Sequence, residues 1–262
     1  MEHPLGSESL APSTAAPTVR RVGAMRPFTW LRSGARDLAF LPGLSLGIGV
    51  LVAVAGLALT AATWETTYLA PTLLGGFLLV APFVAMPLYA LSRQREQSAA
   101  PDSASAFGAW LGNAGSIALF GLLLTLAYFV WERLAAIVFA LFFTEQLRHA
   151  SHLPAALLLS GQSMELVVAF CALGAAVAAL VFAIGVVSAP LLVDRPVDVI
   201  TAVLTSLRCC AGNPVAMVLW AALIAMLTAV GFATLMLGLI VIFPWLAHAS
   251  WHAYRDMVDG GG

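Results

Sequence analysis

Two histidines near the carboxyl end, His248 and His252, have the spacing that could most directly support chemistry. They are four positions apart in AHASWHAYRD and would lie on one face of a helix. Two imidazoles so placed can bind one metal ion, and one imidazole can ligate haem iron. The other interpretation is that Trp251, Tyr254 and Arg255 anchor the end of this helix at lipid headgroups. We favour the anchor, because no cysteine or run of carboxylates nearby offers a third ligand.

A second histidine pair, His149 and His152, stands in TEQLRHASHL, with Glu145 one helical turn before His149. On one helical face these side chains could bind a divalent cation outside a membrane. The segment has no His-Glu-x-x-His sequence, which supplies the general base of zinc proteases. We therefore expect a solvated amphipathic loop and predict no metal site.

Two adjacent pairs of opposite charges, Asp194-Arg195 and Glu132-Arg133, stand in strongly apolar surroundings. Charges deep in hydrocarbon usually mark ion or proton pathways, because they are costly there. We expect these pairs at the ends of membrane spans, where hydration or mutual pairing satisfies them. A carrier or channel would instead need a water-filled pocket, whose expected lining is Asn113, Thr125, Gln162 and Asp194.

The elements that position these residues must be membrane helices, because the chain has too few charges for a water-soluble surface. Of its 262 residues, 61% are hydrophobic and 10% are charged, and the mean hydropathy is +0.96. Soluble domains carry roughly 25% charged residues. The composition excludes a cytosolic enzyme, a nucleic-acid binder and a disordered protein.

Apolar runs long enough to cross about 30 Å of hydrocarbon predict six transmembrane helices. The expected spans are about 43–62, 72–91, 114–131, 166–193, 214–230 and 232–247. The third ends near Trp131, because a helix through residue 143 would be roughly 45 Å long. The last apolar stretch is divided by a turn near Gly231 for the same reason, and one long span over 214–247 is the alternative.

Segments outside the spans are expected at the membrane surface or beyond it. Residues 1–26 are predicted to be a disordered cytoplasmic tail, and 259–262 a glycine-rich end to a single membrane domain over 27–258. Mixed aromatic and charged residues predict interfacial helices over 27–40 and 198–210, with Trp30, Arg32 and Arg36 as anchors of the first. Asp37 and Asp198 on these helices are expected to cap helices or to pair with arginine.

The arginines predict the orientation. All twelve basic residues are arginine, and six spans with both termini inside place ten of them on the inner side. Only Arg133 and Arg148 then lie outside, in agreement with the positive-inside rule. We expect a membrane protein with both termini in the cytoplasm.

Each third of the chain repeats an order of segments: an amphipathic stretch, an apolar hairpin, and a proline-containing exit followed by arginine. We predict an all-α polytopic protein built as three hairpins, each preceded by an interfacial helix. The spacings Gly43-x-x-x-Gly47 and Gly108-x-x-x-Gly112 permit close helix contact within it.

Three stretches together carry a family resemblance: PFTWLRSGARDLAFLPGLSLGIG with YLAPTLLGGFLLVAPFVAMPLYALSR, then VFAIGVVSAPLLVDRPVDVITAVLTSLRCCAGNPVAMVLWAALI, then GLIVIFPWLAHASWHAYRDMV. Over about 27–258 the chain resembles a bacterial family of predicted integral membrane proteins, domain of unknown function 2189. The resemblance implies a multi-span inner-membrane protein with no established activity. Some members are labelled putative cytochrome c oxidase subunit, which implies an association with respiration. The chain itself has about half the spans that a catalytic haem–copper subunit needs.

No catalytic motif is present, so we lean away from an enzyme. We predict a non-enzymatic accessory, assembly or scaffold protein for other membrane complexes, with a terminal oxidase among the candidate partners. One alternative is a small-solute or ion transporter. Another is a redox protein that binds haem or a metal through His248 and His252, although no cofactor is predicted.

Overall fold

The computed structural model describes residues 17–62, 70–100, 102–142 and 164–259. The predicted tail through residue 16, the His149–His152 pair and Gln162 lie outside these residues. In the described residues the regular structure is helical, apart from one bridge between Val19 and Val258. The predicted all-α polytopic class is confirmed.

Eleven α-helices are described, and one short 3-10 helix, Ala109–Asn113, joins the fifth to the sixth. The α-helices are α1 (Arg26–Leu38), α2 (Pro42–Ala62), α3 (Ala70–Val84), α4 (Met86–Glu96), α5 (Ser103–Gly108), α6 (Ala114–Phe142), α7 (Met164–Gly185), α8 (Ser188–Asp194), α9 (Val199–Gly212), α10 (Pro214–Ala233) and α11 (Leu239–Met257).

Five segments of the described chain are long and apolar enough to cross a membrane: Pro42–Ala62, Gly75–Glu96, Ser103–Val138, Met164–Asp194 and Pro214–Ala233. Two of them contain an interruption of the α-helix close to a proline. The second is interrupted at Ala85, shortly before Pro87, and the fourth at 186–187, shortly before Pro190. A proline ring removes a helix hydrogen bond and crowds the preceding turn, which explains both interruptions.

The two ends of the described chain lie side by side. The amide of Arg20 donates to the carbonyl oxygen of Met257 at 2.8 Å, and the amide of Asp259 donates to that of Thr18 at 3.0 Å. The bridge between these segments brings the two ends of the described chain together. The helix α11 is not among the five segments that are long and apolar enough to cross a membrane, so the span over 232–247 stays a prediction.

The sixth helix does not end near Trp131, where the third span was expected to end. It continues to Phe142. Glu132 and Arg133 pair with each other at 2.9 Å, and no proline or glycine follows them in the helix. The two charges do not interrupt the backbone of the helix.

The expected turn near Gly231 lies a little later, over residues 234–238. Leu235 and Met236 adopt positive φ angles of 53° and 67°, and the Thr234 hydroxyl accepts the amide of Gly238 at 2.8 Å. Gly231 itself stays helical and faces Leu239, where a Cβ would overlap the leucine side chain. Its small size allows α10 and α11 to approach, and the turn is made by the residues that follow.

The helix α11 is the centre of the packing, with α1, α2 and α4 around it. A Cβ at Gly34 would lie 2.6 Å from the amide nitrogen of Ala249, and one at Gly49 would overlap the backbone of Ile240. By contrast a Cβ at Gly43, Gly47, Gly108 or Gly112 would meet nothing within 4 Å, so these glycines make no close helix contact within the described chain.

Candidate functional site

The polar side chains of the described chain gather around the last three turns of α11. We call this group the polar cap. Its members come from α1, α2, α4, α8 and α11: Arg26, Trp30, Asp37, Ser45, Ser92, Arg93, Arg95, Glu96, Asp194, Arg195, His248, Trp251, His252, Tyr254, Arg255 and Asp256.

The imidazole of His248 lies at the inner side of the cap, with 1% of the residue exposed. Its Nε2 is 3.0 Å from Oγ of Ser45, and its Nδ1 is 2.8 Å from Oγ of Ser92. A neutral imidazole donates through one nitrogen and accepts through the other, so both nitrogens are engaged. A metal ion or haem iron would have to displace one of these serines.

Asp37 connects α1 to two other helices. Its carboxylate accepts Nε2 of His252 at 2.8 Å and Nη1 of Arg95 at 2.9 Å. Burial acts to raise the pKa of Asp37, but hydrogen bonds from His252 and Ser92 and the nearby histidines outweigh it and hold this pKa below its usual value. The carboxylate is therefore ionised and bonded, as was expected of this residue.

Two further carboxylates each bind one arginine and one indole. Asp256 accepts Nε and Nη2 of Arg26 at 2.7 and 2.6 Å and the indole of Trp30 at 2.9 Å. Glu96 accepts Nε of Arg255 at 3.0 Å and the indole of Trp251 at 3.2 Å. These forked pairs are the stronger kind of charge-assisted hydrogen bond.

Asp194 and Arg195, the predicted intramembrane polar pair, lie in the cap at the end of α8. The hydroxyl of Tyr254 donates to Asp194 at 2.6 Å, and Nη1 of Arg255 lies 3.7 Å from the same carboxylate. Arg195 is 3.7 Å from Asp194 and also donates to the carbonyl oxygen of Asp259 at 2.6 Å. The closest partners of both residues are therefore groups elsewhere in the chain, and their own pairing is a longer contact.

The structure corrects part of the expected headgroup anchor. Trp30, Trp251 and Tyr254 are at most 2% exposed, because α1, α4 and α8 cover the end of α11. Arg255 is occupied by Glu96 and Asp194. Arg32 and Arg36 are exposed on α1, and their anchoring role stays a prediction.

The polar residues expected to line a transport pocket do not meet in one cavity of the described chain. Asn113 donates to the carbonyl oxygens of Leu192, Arg195 and Val197 at 3.0–3.3 Å and so holds the loop after α8. The hydroxyl of Thr125 donates to the carbonyl oxygen of Gly121 in its own helix at 2.8 Å.

The side chains of the cap bond to one another and so join the helices that carry them. Its carboxylates all face arginine or histidine, and no group of three or more metal-ligating side chains forms within the described residues. Ser45, Ser92 and Glu96 are cap residues that sequence reasoning missed. Ser45 carried a signal, because a serine one turn into an apolar span needs a partner inside the protein.

Comparison with known families gives one match. Residues 69–194 match the family model DUF2189, predicted integral membrane protein. The match confirms the resemblance over just under half of the chain, a shorter range than the quoted stretches cover. It includes α3 to α8 and leaves out α1, α2 and α9 to α11. No curated protein and no solved structure matches the chain.

Proposed function

We propose that this protein is a non-enzymatic accessory, assembly or scaffold protein that acts through helix contacts with other membrane proteins. The observation that carries the proposal is an exposed stripe of alanines on α7. The stripe consists of four exposed residues on one face of that helix, at i, i+3, i+4 and i+7: Ala172, Ala175, Ala176 and Ala179. Small residues at i and i+4 let two membrane helices approach closely.

The burial of the spans supports the same assignment. In an 18-residue apolar window of Met164–Asp194 no residue is buried, whereas 44% of the corresponding window in Gly75–Glu96 is buried. Among the described residues, the chain therefore concentrates its packing on α4 and α11 and leaves much of α7 open to the bilayer or to a partner. Lipid tails are as apolar as the side chains of a membrane helix, so the hydrophobic effect does not drive helices together. A face of small residues instead favours association because it packs closely against a second helix.

The location we propose is the bacterial cytoplasmic membrane, with both termini in the cytoplasm. The joined chain ends and the arginines of the polar cap lie at one end of the bundle, which the positive-inside rule assigns to the cytoplasm. A respiratory complex is the first class of partner to test, because some members of the resembling family carry an oxidase label.

Affinity purification from native membranes in a mild detergent, followed by mass spectrometry, tests the proposal. Membrane-protein partners should arrive in near-stoichiometric amounts with the natural chain. The double change Ala172→Leu with Ala176→Leu should remove them. The matched control is Ala225→Leu with Ala229→Leu, which places the same side chains at exposed positions of α10. Purification of the natural chain alone, or equal recovery with both double variants, would contradict the proposal.

A further inference from the structure

A long apolar cavity of about 700 Å³ lies between α2, α3, α7, α10 and α11. Its volume is within the range of small-molecule sites, roughly 300–1,000 Å³. Along α3 and α4 its lining extends from Gly75 to Tyr89. Fourteen residues correspond to roughly 21 Å at 1.5 Å per residue, so the cavity is elongated along the helices and hence along the bilayer normal.

The cavity opens sideways through the bundle. Leu51, Leu78 and Val80 line it and are also 62%, 44% and 54% exposed. No charged side chain lines it, and its polar members are Tyr89, Trp131, Thr228 and Ser250. The way in therefore leads from the hydrocarbon of the bilayer, and the walls suit an apolar chain.

The cap end of the cavity holds a hydroxyl without a partner. Tyr89 is 6% exposed and makes no hydrogen bond to the described part of the chain. It stands one helical turn before Ser92, which binds His248 in the polar cap. Buried hydroxyl groups in proteins normally have a hydrogen-bond partner, so this one is suited to donate to a ligand.

The opposite end is set by Trp131. Its indole packs against Phe170 with ring centroids 5.2 Å apart, and its Nε1 also has no partner. Trp131 is roughly 27 Å along α6 from Asn113, which binds the cap-side loop. Tyr89 and Trp131 thus mark two ends of one apolar chamber.

We propose that this cavity binds the acyl chain of a bilayer phospholipid, with an ester carbonyl oxygen accepting the hydroxyl of Tyr89. The length, the lateral opening and the uncharged walls match a fatty-acyl chain, and the Tyr89 hydroxyl at the cap end is a donor for its ester group. This site is separate from the alanine stripe, because Gly174, Ala178 and Val181 line the cavity from the opposite face of α7.

The test uses the full chain in phosphatidylcholine nanodiscs that contain a phospholipid with a photoactivatable diazirine on its acyl chain. After illumination, peptide mapping should find crosslinks on α3, α4 and α7 at cavity-lining residues. Ala178→Trp should reduce them to background by filling the cavity, and Val181→Phe is a second filling variant if the first does not fold. Leu180→Trp is the matched control, because Leu180 is 57% exposed and does not line the cavity.

Native mass spectrometry of the detergent-purified protein identifies the occupant. One retained phospholipid is expected, and Tyr89→Phe should lower its retention by about two- to tenfold, the equivalent of one hydrogen bond. Crosslinks spread evenly over the exposed faces of α6 and α10 would overturn the proposal. So would crosslinks unchanged by both filling variants, or a retained isoprenoid or other molecule that is not a phospholipid.

Discussion

His248 is held by two serine hydroxyls from two different helices, Ser45 of α2 and Ser92 of α4. This arrangement uses both nitrogens of the ring. The residue that offered the most chemistry in the sequence is thus almost fully buried, with 1% of its surface exposed. Its role in the structure is to join α11 to α2 and α4.

Replacing this imidazole should therefore reduce stability. For His248→Ala we expect a loss of about 2–4 kcal/mol of unfolding free energy, because a buried side chain and two hydrogen bonds disappear. Thermal unfolding in detergent measures the change, and a double-mutant cycle with Ser92→Ala should show coupling between the two sites. A haem absorption band in the natural protein that disappears in His248→Ala would contradict this account and favour the redox alternative.

The lowered pKa of Asp37 predicts how stability changes with pH. Because the folded pKa lies below the unfolded value of about 4, the contribution is complete above that value and is lost as the pH falls through the folded pKa. Measurements of Tm against pH should show a decline below about pH 4 that is weaker in Asp37→Asn. An identical acid decline in both proteins would show that Asp37 does not cause it.

The sequence predicted that Asp37 and Asp198 would pair or cap, and both predictions are confirmed. Asp37 binds Arg95, and Asp198 accepts the amide of Thr201 at 2.9 Å at the start of α9. The cap partners of Trp251 and Tyr254 could not be predicted. Glu96 and Asp194 belong to other helices more than fifty positions away, and only the tertiary arrangement brings them together.

Among the helices, the contact of α2 with α11 depends on the absence of a side chain at Gly49. A Cβ there would overlap the carbonyl group of Ile240, whereas one at Gly47 would meet nothing within 4 Å. The spacing of glycines in the sequence does not distinguish the two, because both lie in the same apolar run. The distinction comes from the direction in which α11 crosses α2.

This pair offers a matched test of the packing. Gly49→Val should destabilise the protein by more than about 3 kcal/mol, because the backbone of α11 cannot yield as a flexible side chain would. Gly47→Val should change stability by less than about 0.5 kcal/mol. Fluorescence-detected size exclusion after graded heating measures both, and equal effects of the two valines would contradict the described contact.

The apolar runs of the sequence predicted where the helices lie, but they predicted the residues at which the helices end less accurately. The continuation of α6 to Phe142 and the turn over 234–238 both depart from the expected bounds. A length limit set by the bilayer predicts where a span should end, whereas the backbone continues until a breaking residue or a cap stops it. The extra turns of α6 are the consequence.

In the whole molecule, the bridge between Val19 and Val258 joins the two ends of the described chain. Hydropathy alone left the last stretch divisible in two ways, and the turn over 234–238 divides it into α10 and α11. The cavity between α2, α3, α7, α10 and α11 had no signal in the sequence. The cavity exists because the apolar helices around it do not pack closely along their whole length. The lining residues are of types common in any membrane helix, so the sequence does not distinguish them.

The central claim is that α7 contacts another membrane protein. Site-specific photocrosslinking in native membranes tests this claim most directly. A benzoylphenylalanine placed at Ala176 lies on the exposed alanine stripe, and one at Ala225 lies on the exposed face of α10. After illumination we predict a discrete protein adduct from position 176, identified by mass spectrometry, and none from position 225. Lipid adducts alone at position 176, or the same protein adduct from both positions, would contradict the account.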